Sequence, residues 1–166
     1  MRDVVIVDSV RTGLTKAFRG SFNLTRSDDM LAHCIDSLLD RNPNLSPEEV
    51  EDVVVGAATH AGEQDGNLAR LAVVLSKLPI TVAGVSINRF CSSGLQAIAI
   101  AANQIASGQT EVAIAGGVDS ISMRTRQEPG KAKQNQRLLD EKPDIFMAMG
   151  NTAAVSYTHL RAHETV

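Results

Sequence analysis

Aromatic residues are scarce in this 166-residue chain, which contains no Trp, one Tyr and four Phe. Its 16 basic residues are outnumbered by 19 acidic ones, so the formal net charge is −3. Proteins that bind nucleic acids usually combine a basic surface with aromatic side chains that stack on bases. The composition therefore argues against a nucleic-acid partner.

Cysteine is also scarce, and long apolar runs are missing. The two cysteines, Cys34 and Cys91, are too few for the disulfide framework of a small secreted protein. No apolar run approaches the roughly 20 residues that span a bilayer, so we expect no membrane partner. The N-terminal run DVVIVD, residues 3–8, is too short for a secretion signal. These features favour a cytoplasmic protein.

The apolar residues follow a pattern of alternating strands and helices. The pattern predicts strands at residues 3–8, 53–56, 82–87 and 112–115, and helices at residues 27–41, 67–78 and 95–107. Strands that alternate with helices are typical of a parallel sheet with right-handed crossovers. We therefore expect an α/β fold with a mostly parallel sheet.

The third predicted helix is the most apolar segment of the chain. Its sequence, LQAIAIAANQIAS, has few strongly polar residues, and Gly108 follows it as a helix stop. Ser93 and Gln96 have the spacing of a capping box at its start. Because a helix that is apolar on nearly every face is normally buried on nearly every face, we expect a central helix between two layers.

Cys91 lies between the third predicted strand and this helix. The N–H groups and dipole at a helix N-terminus favour a thiolate, and the small residues 92–94 leave room for a substrate. Free cysteine is also a common small core residue. The local residues leave both interpretations open for Cys91, whereas Cys34, at helical spacing with Leu31 and Leu38, is predicted to be core.

Residues 88–97, NRFCSSGLQA, resemble the active-site signature of the thiolase family. Four other motifs occur in the family's order: VRT at 10–12, NLAR at 67–70, GGVDSISM at 116–123 and MGNTA at 149–153. Asp119 stands where glutamate is usual in the third of these. The resemblance extends over about residues 2–153. Five motifs in the expected order are far more specific than a single motif.

The resemblance implies a thiolase-like layered fold, of which this chain holds the N-terminal half. It implies an α/β part at residues 1–123 and the start of a loop excursion at 124–153. Residues 154–166 do not resemble the family, and we interpret them as a tail from a truncated or mis-assembled reading frame. The family's second half would carry Asn-Glu-Ala-Phe, Gly-His-Pro and Cys-x-Gly segments, which do not occur in these residues.

The resemblance also implies an activity, that of a degradative 3-ketoacyl-CoA thiolase of fatty-acid β-oxidation. Cys91 would carry the acyl group between a 3-ketoacyl-CoA and CoA, and Met149 would line the acyl-binding pocket. Coenzyme A would be a substrate, with no prosthetic group and no metal. The full-length family members are expected to be homodimers or homotetramers.

Two alternatives stay open at this stage. The first is a different enzyme on the same fold, either a biosynthetic thiolase that forms acetoacetyl-CoA or a related condensing enzyme. The second is a chain without catalytic activity, either an inactive fragment or an assembly module. The motifs around Cys91 favour the thiolase interpretation over both.

Overall fold

The structure is a computed structural model that describes residues 2–123 and 135–160. The backbone divides into two compact units, Met1–Pro129 and Gly130–Val166. The first unit contains the sheet and the motif around Cys91, and the second unit contains Met149. No helix in the described ranges is long and apolar enough to cross a membrane.

The first unit is built on a parallel sheet of three strands, β1 (Asp52–Gly56), β2 (Ala83–Ile87) and β3 (Ala113–Gly117). Their order is β2-β1-β3, and Val54 of β1 stands opposite Val85 on one side and Ala115 on the other. The central strand is the most apolar, as expected for a strand covered on both faces. The predicted parallel α/β architecture is confirmed.

Three helices, α1 (Ser27–Arg41), α2 (Leu68–Leu75) and α3 (Ser93–Ser107), cover the two faces of the sheet. Val53 and Val55 pack in one core cluster with α1 and α2, whereas Val54 packs with Ala97 and Ala101 of α3. Alternate residues of a strand point to opposite faces, so the Val-Val-Val run of β1 serves both cores. The first unit therefore has three layers.

The helix ends follow from local sequence. Asp28 and Asp29 lie in the first turn of α1, where the helix dipole favours acidic residues. The side chain of Asn67 caps α2 by accepting a hydrogen bond from the backbone N–H of Arg70 at 3.1 Å. Helix α3 ends at Gly108, whose φ of 77° is readily accessible to glycine.

The predicted first strand does not form. Residues 3–8 are irregular, and the side chains of Val5, Ile6 and Val7 are between 74% and 81% exposed. A strand needs a hydrogen-bonded neighbour, and in the described part of the chain the sheet contains β2, β1 and β3 alone, none of which pairs with residues 3–8. The prediction of a buried strand was wrong for this structure.

Helix α3 is buried along one face only. Ala97 and Ala101 are buried against the sheet, but Leu95 on another face is 72% exposed. This differs from the burial on nearly every face that its composition predicts. The small alanines let the helix approach the sheet closely, and Ile100 packs against the same cluster, whereas Leu95 and Ile98 are exposed.

In the part that the structure describes, residues 135–160, the second unit has two helices, α4 (Gln136–Glu141) and α5 (Met149–Leu160), with a 3₁₀ turn at Pro143–Phe146 between them. Asn135 caps α4 by accepting a hydrogen bond from the backbone N–H of Leu138 at 3.4 Å. Helix α5 spans both sides of the boundary predicted at residue 153. The three predicted segments, 1–123, 124–153 and 154–166, stay predictions.

Two glycines, Gly56 and Gly117, allow the ends of β1 and β3 to lie against the first turn of α3. A Cβ atom on Gly56 would lie 2.2 Å from the backbone carbonyl carbon and oxygen of Ser93. A Cβ atom on Gly117 would lie 2.8 Å from the carbonyl oxygen of Gly56 and 3.0 Å from the Cα atom of Gly94. The N-terminus of α3 is therefore seated on the strand ends through direct backbone contact.

We expect Gly56→Ala to destabilise the first unit by about 1–3 kcal/mol, because the new methyl group overlaps backbone that cannot move independently. Gly116→Ala is the matched control, since a Cβ atom there has no neighbour within 4 Å. Urea unfolding followed by circular dichroism measures both variants. Equal unfolding midpoints for the two variants would contradict this account of the glycine contact.

Candidate active site

Cys91 lies in the connection between β2 and α3, two residues before the helix begins. Its side chain is exposed. The connection leaves the sheet at the carboxyl end of a parallel strand, where open α/β sheets bind their ligands. The structure therefore presents the Cys91 thiol beside a helix N-terminus, as the sequence predicts.

The residue before Cys91 has an unusual backbone. Phe90 has a φ of 47°, in the left-handed region that non-glycine residues seldom adopt. Its ring is 76% exposed, so packing of the side chain does not account for this conformation. Strained turns between a strand and a helix are also used to present other nucleophiles. The sequence carries no signal for this conformation at a phenylalanine.

The side chain of Asn88 holds this turn through both polar atoms of its amide group. Its Oδ1 atom accepts a hydrogen bond from the backbone N–H of Phe90 at 2.8 Å. Its Nδ2 atom donates to the carbonyl oxygen of Ala58 at 3.0 Å. Because Ala58 follows β1, Asn88 ties the Cys91 turn to the end of the central strand. Sequence reasoning included Asn88 in the motif but assigned it no role.

Ser93 closes the turn from the helix side. Its hydroxyl oxygen accepts a hydrogen bond from the backbone N–H of Arg89 at 2.8 Å and donates to the carbonyl oxygen of Phe90 at 2.6 Å. The predicted capping box of Ser93 and Gln96 is therefore wrong. The Gln96 side chain instead accepts a hydrogen bond from the guanidinium of Arg89 at 2.6 Å. Both residues brace the turn that carries Cys91.

A buried glutamine connects the loops beside this turn. We call Ser27, Thr59, Gln64, Asp119 and Ser120 the Gln64 cluster. The Gln64 Oε1 atom accepts hydrogen bonds from the Ser27 hydroxyl at 2.8 Å and the Ser120 N–H at 2.6 Å. Its Nε2 atom donates to the Thr59 carbonyl at 2.7 Å and to Asp119 Oδ1 at 3.0 Å. Sequence reasoning interpreted residues 59–66 as an ordinary polar loop and missed this cluster.

Glu63 makes a second connection between the loop at residues 59–66 and α1. Its Oε1 atom accepts a hydrogen bond from the backbone N–H of Ser27 at 2.8 Å. The same atom lies 2.8 Å from the Ser27 hydroxyl, whose single proton is shared between Glu63 and Gln64. A carboxylate at a helix N-terminus is favoured by the helix dipole and by the free N–H groups there. The loop that follows β1 is thus anchored on α1 as well as on the loop that follows β3.

The two cysteines differ in environment. Cys91 is exposed, whereas Cys34 on α1 is half-buried. Burial raises the pKa of the Cys34 thiol, and a smaller opposing effect comes from a hydrogen bond with the Thr12 backbone. Cys34 is therefore less deeply buried than the predicted core position, but its environment still disfavours the reactive thiolate.

Met149, the other predicted site residue, begins α5 in the second unit, and its side chain is exposed. Its role in binding an acyl chain stays a prediction. Within the described residues, no group of three or more His, Cys, Asp or Glu side chains is arranged to hold a metal ion.

We expect iodoacetamide to alkylate Cys91 at least about ten-fold faster than Cys34 near neutral pH. Cys91 is exposed, whereas burial raises the pKa of Cys34 and keeps it protonated. Raising the pH should accelerate the reaction of Cys34, because its thiolate fraction then increases. Cys34→Ser and Cys91→Ser variants isolate each thiol, and mass spectrometry measures the rates. Equal rates for the two single-cysteine variants would contradict the assignment.

Comparison with known proteins matches residues 4–163 to the family described as "Thiolase, N-terminal domain". The beta-ketoadipyl-CoA thiolase of Pseudomonas putida is 44% identical over 122 residues, covering 74% of this chain. The 3-ketoacyl-CoA thiolase of Bacillus subtilis is 39% identical over 153 residues, covering 92% of this chain. The matched segments span 30% and 39% of these two relatives' own lengths.

Proposed function

Because the chain belongs to the thiolase family, through its N-terminal domain, we propose that Cys91 accepts the acyl group in a 3-ketoacyl-CoA thiolase. The observation that carries this proposal is the presentation of one exposed thiol on a strained turn at the N-terminus of α3. The other cysteine, Cys34, is half-buried on α1 and has no comparable setting.

In the proposed reaction, the Cys91 thiolate attacks the 3-keto carbon of the substrate. The bond between carbons 2 and 3 breaks, and its electron pair leaves with acetyl-CoA as an enolate that takes up a proton. The shortened acyl group stays on the Cys91 sulfur as a thioester. The thiolate of a second CoA then attacks this thioester, releases the shortened acyl-CoA and restores Cys91. Coenzyme A acts as a substrate, with no prosthetic group.

The residues around Cys91 suit the first of these steps. Backbone N–H groups at the start of α3 can stabilise negative charge on the sulfur and on the oxygen of a tetrahedral intermediate. Such stabilisation depends on donors that are already in place before the substrate arrives. The hydrogen bonds of Asn88 and Ser93 hold the turn in this arrangement.

The remaining groups of the reaction would come from outside this chain. The chain spans 30% to 39% of the length of the curated relatives described above. The groups that activate Cys91 and protonate the enolate would belong to a longer protein, in the Gly-His-Pro and Cys-x-Gly segments of the family. That protein would be a homodimer or homotetramer, by the same resemblance.

The names of the relatives support a 3-ketoacyl-CoA substrate. They refer to 3-ketoacyl-CoA, beta-ketoadipyl-CoA and, for a protein of Escherichia coli that is 43% identical over 122 residues, 3-oxoadipyl-CoA. We therefore propose thiolysis as the reaction of the longer protein, in preference to the synthesis of acetoacetyl-CoA. The acyl chain, either an alkyl chain or one with a terminal carboxylate, is to be identified by experiment.

We expect incubation with acetyl-CoA to place an acetyl group on Cys91. This thioester exchange needs only a reactive thiolate, because the sulfur of Cys91 replaces the sulfur of CoA and free CoA is released. Intact-mass and peptide mass spectrometry would locate the adduct. Cys91→Ser should remove the adduct and Cys34→Ser should leave it. An adduct that persists in the Cys91→Ser variant, or that forms on Cys34 in preference to Cys91, would overturn the proposed role.

The complete reaction can be tested in a chimera. This chain would replace the aligned segment of the Bacillus subtilis 3-ketoacyl-CoA thiolase, which would supply the remaining residues. We expect CoA-dependent cleavage of a 3-ketoacyl-CoA, and its loss in the Cys91→Ser chimera, which should fold equally well. Acetoacetyl-CoA and beta-ketoadipyl-CoA as substrates would separate the two acyl classes. A folded chimera that cleaves neither would contradict the proposal.

A further inference from the structure

We propose that Asp119 is a positioning residue for Cys91, acting through the Ala58 backbone and the side chain of Asn88. The proposal rests on the proposed role of Cys91 as the acyl acceptor. Asp119 lies in the loop after β3, whereas Cys91 follows β2, and these are the two edge strands of the sheet. A continuous series of hydrogen bonds joins their loops across the end of the central strand β1.

The first step is the contact between Asp119 and the loop after β1. The Asp119 Oδ2 atom accepts a hydrogen bond from the backbone N–H of Ala58 at 2.7 Å. The Oδ1 atom accepts from Gln64 Nε2 at 3.0 Å. Both carboxylate oxygens are therefore engaged, and the buried Gln64 amide fixes the orientation of the carboxylate. The Oδ2 atom of Asp119, which accepts the hydrogen bond from Ala58, is thus held in place.

The second step runs from Ala58 to the Cys91 turn. The carbonyl oxygen of Ala58 accepts a hydrogen bond from Asn88 Nδ2 at 3.0 Å. Since the N–H and C=O of Ala58 flank one Cα atom, a shift at the N–H also changes the direction of the carbonyl. The Asn88 Oδ1 atom accepts from the N–H of Phe90 at 2.8 Å. Asp119 therefore acts on the turn through three consecutive hydrogen bonds.

The third step is the conformation of Phe90. A φ of 47° is unfavourable for a phenylalanine and persists only when the surroundings impose it. The hydrogen bond from its N–H to Asn88 is one of the constraints that impose it. When that constraint weakens, the turn can relax, and we expect the side chain of the next residue, Cys91, to change its orientation. The inference links Asp119 to the orientation of the thiol.

The exposure of Asp119 distinguishes this role from a general contribution to stability. Asp119 is an exposed residue, so the loss of its hydrogen bonds should have little effect on global unfolding. Its effect should be concentrated at the Cys91 turn. The chain also offers a conservative variant, since Asp119→Glu keeps the carboxylate and corresponds to the residue that is usual in the family.

The test compares Asp119→Ala and Asp119→Glu with the unmodified chain. Asp65→Ala is the matched control, because Asp65 is also an exposed carboxylate near Gln64, and its bond to the N–H of Gly66 stays within its own loop. Amide hydrogen exchange is measured for residues 88–92 and, as an internal reference, for residues 102–107 of α3. The rates of Cys91 acetylation by acetyl-CoA and of its alkylation by iodoacetamide are measured in parallel.

We expect Asp119→Ala to accelerate exchange at the Phe90 N–H about ten-fold, with residues 102–107 unchanged. Acetylation of Cys91 should slow by about ten-fold, because acyl transfer requires an oriented sulfur. Alkylation by the small, orientation-tolerant iodoacetamide should change far less. Asp119→Glu should restore at least half of the acetylation rate, and Asp65→Ala should behave like the unmodified chain.

Three results would overturn the proposal. These are unchanged exchange at Phe90, a uniform increase in exchange across the whole first unit, and an unchanged acetylation rate despite faster exchange. Failure of the underlying function gives a different result. If the folded chimera with the Bacillus subtilis thiolase cleaves no 3-ketoacyl-CoA, the proposed role of Cys91 fails, while hydrogen exchange still decides whether Asp119 holds the turn.

Discussion

The site depends on one close contact, in which the ends of β1 and β3 touch the first turn of α3. That contact is possible only because Gly56 and Gly117 have no side chains. A methyl group at Gly56 would push α3 off the sheet and carry the Cys91 turn with it. The contact therefore determines where the N–H groups of α3 lie relative to the strand ends, which in turn determines the setting of the thiol.

Hydrogen bonds of polar side chains then fix the Cys91 turn and the loops after β1 and β3, which the glycine contact alone does not determine. Asn88 and Ser93 hold the backbone around Phe90 and Cys91, and the buried amide of Gln64 joins the loops after β1 and β3. These bonds connect segments that are far apart in the sequence but adjacent at the carboxyl ends of the strands. A parallel sheet brings the loops that follow its strands together at one edge. Residues that show no periodic pattern in the sequence can therefore still form one hydrogen-bonded group.

The parts of the fold that could be predicted are those with a local cause. The valines of β1, the acidic first turn of α1 and Gly108 after α3 each specify their element through neighbouring residues. The conformation of Phe90 and the partners of Gln64 could not be predicted, since they depend on contacts between distant loops. The resemblance around Cys91 pointed to the proposed nucleophile but gave no account of what holds it.

The errors in prediction have a common physical origin. The pattern of residues 3–8 and the composition of α3 both specify apolar surface that should be covered, yet Ile6 and Leu95 are exposed here. An apolar pattern indicates that a surface favours burial, but whether it is buried depends on which neighbours are available. The turn at Cys91 differs in this respect, because its hydrogen-bonding partners all lie within the first unit. The geometry of the proposed nucleophile is therefore local to this unit, and the activation of its thiolate is the part that depends on other groups.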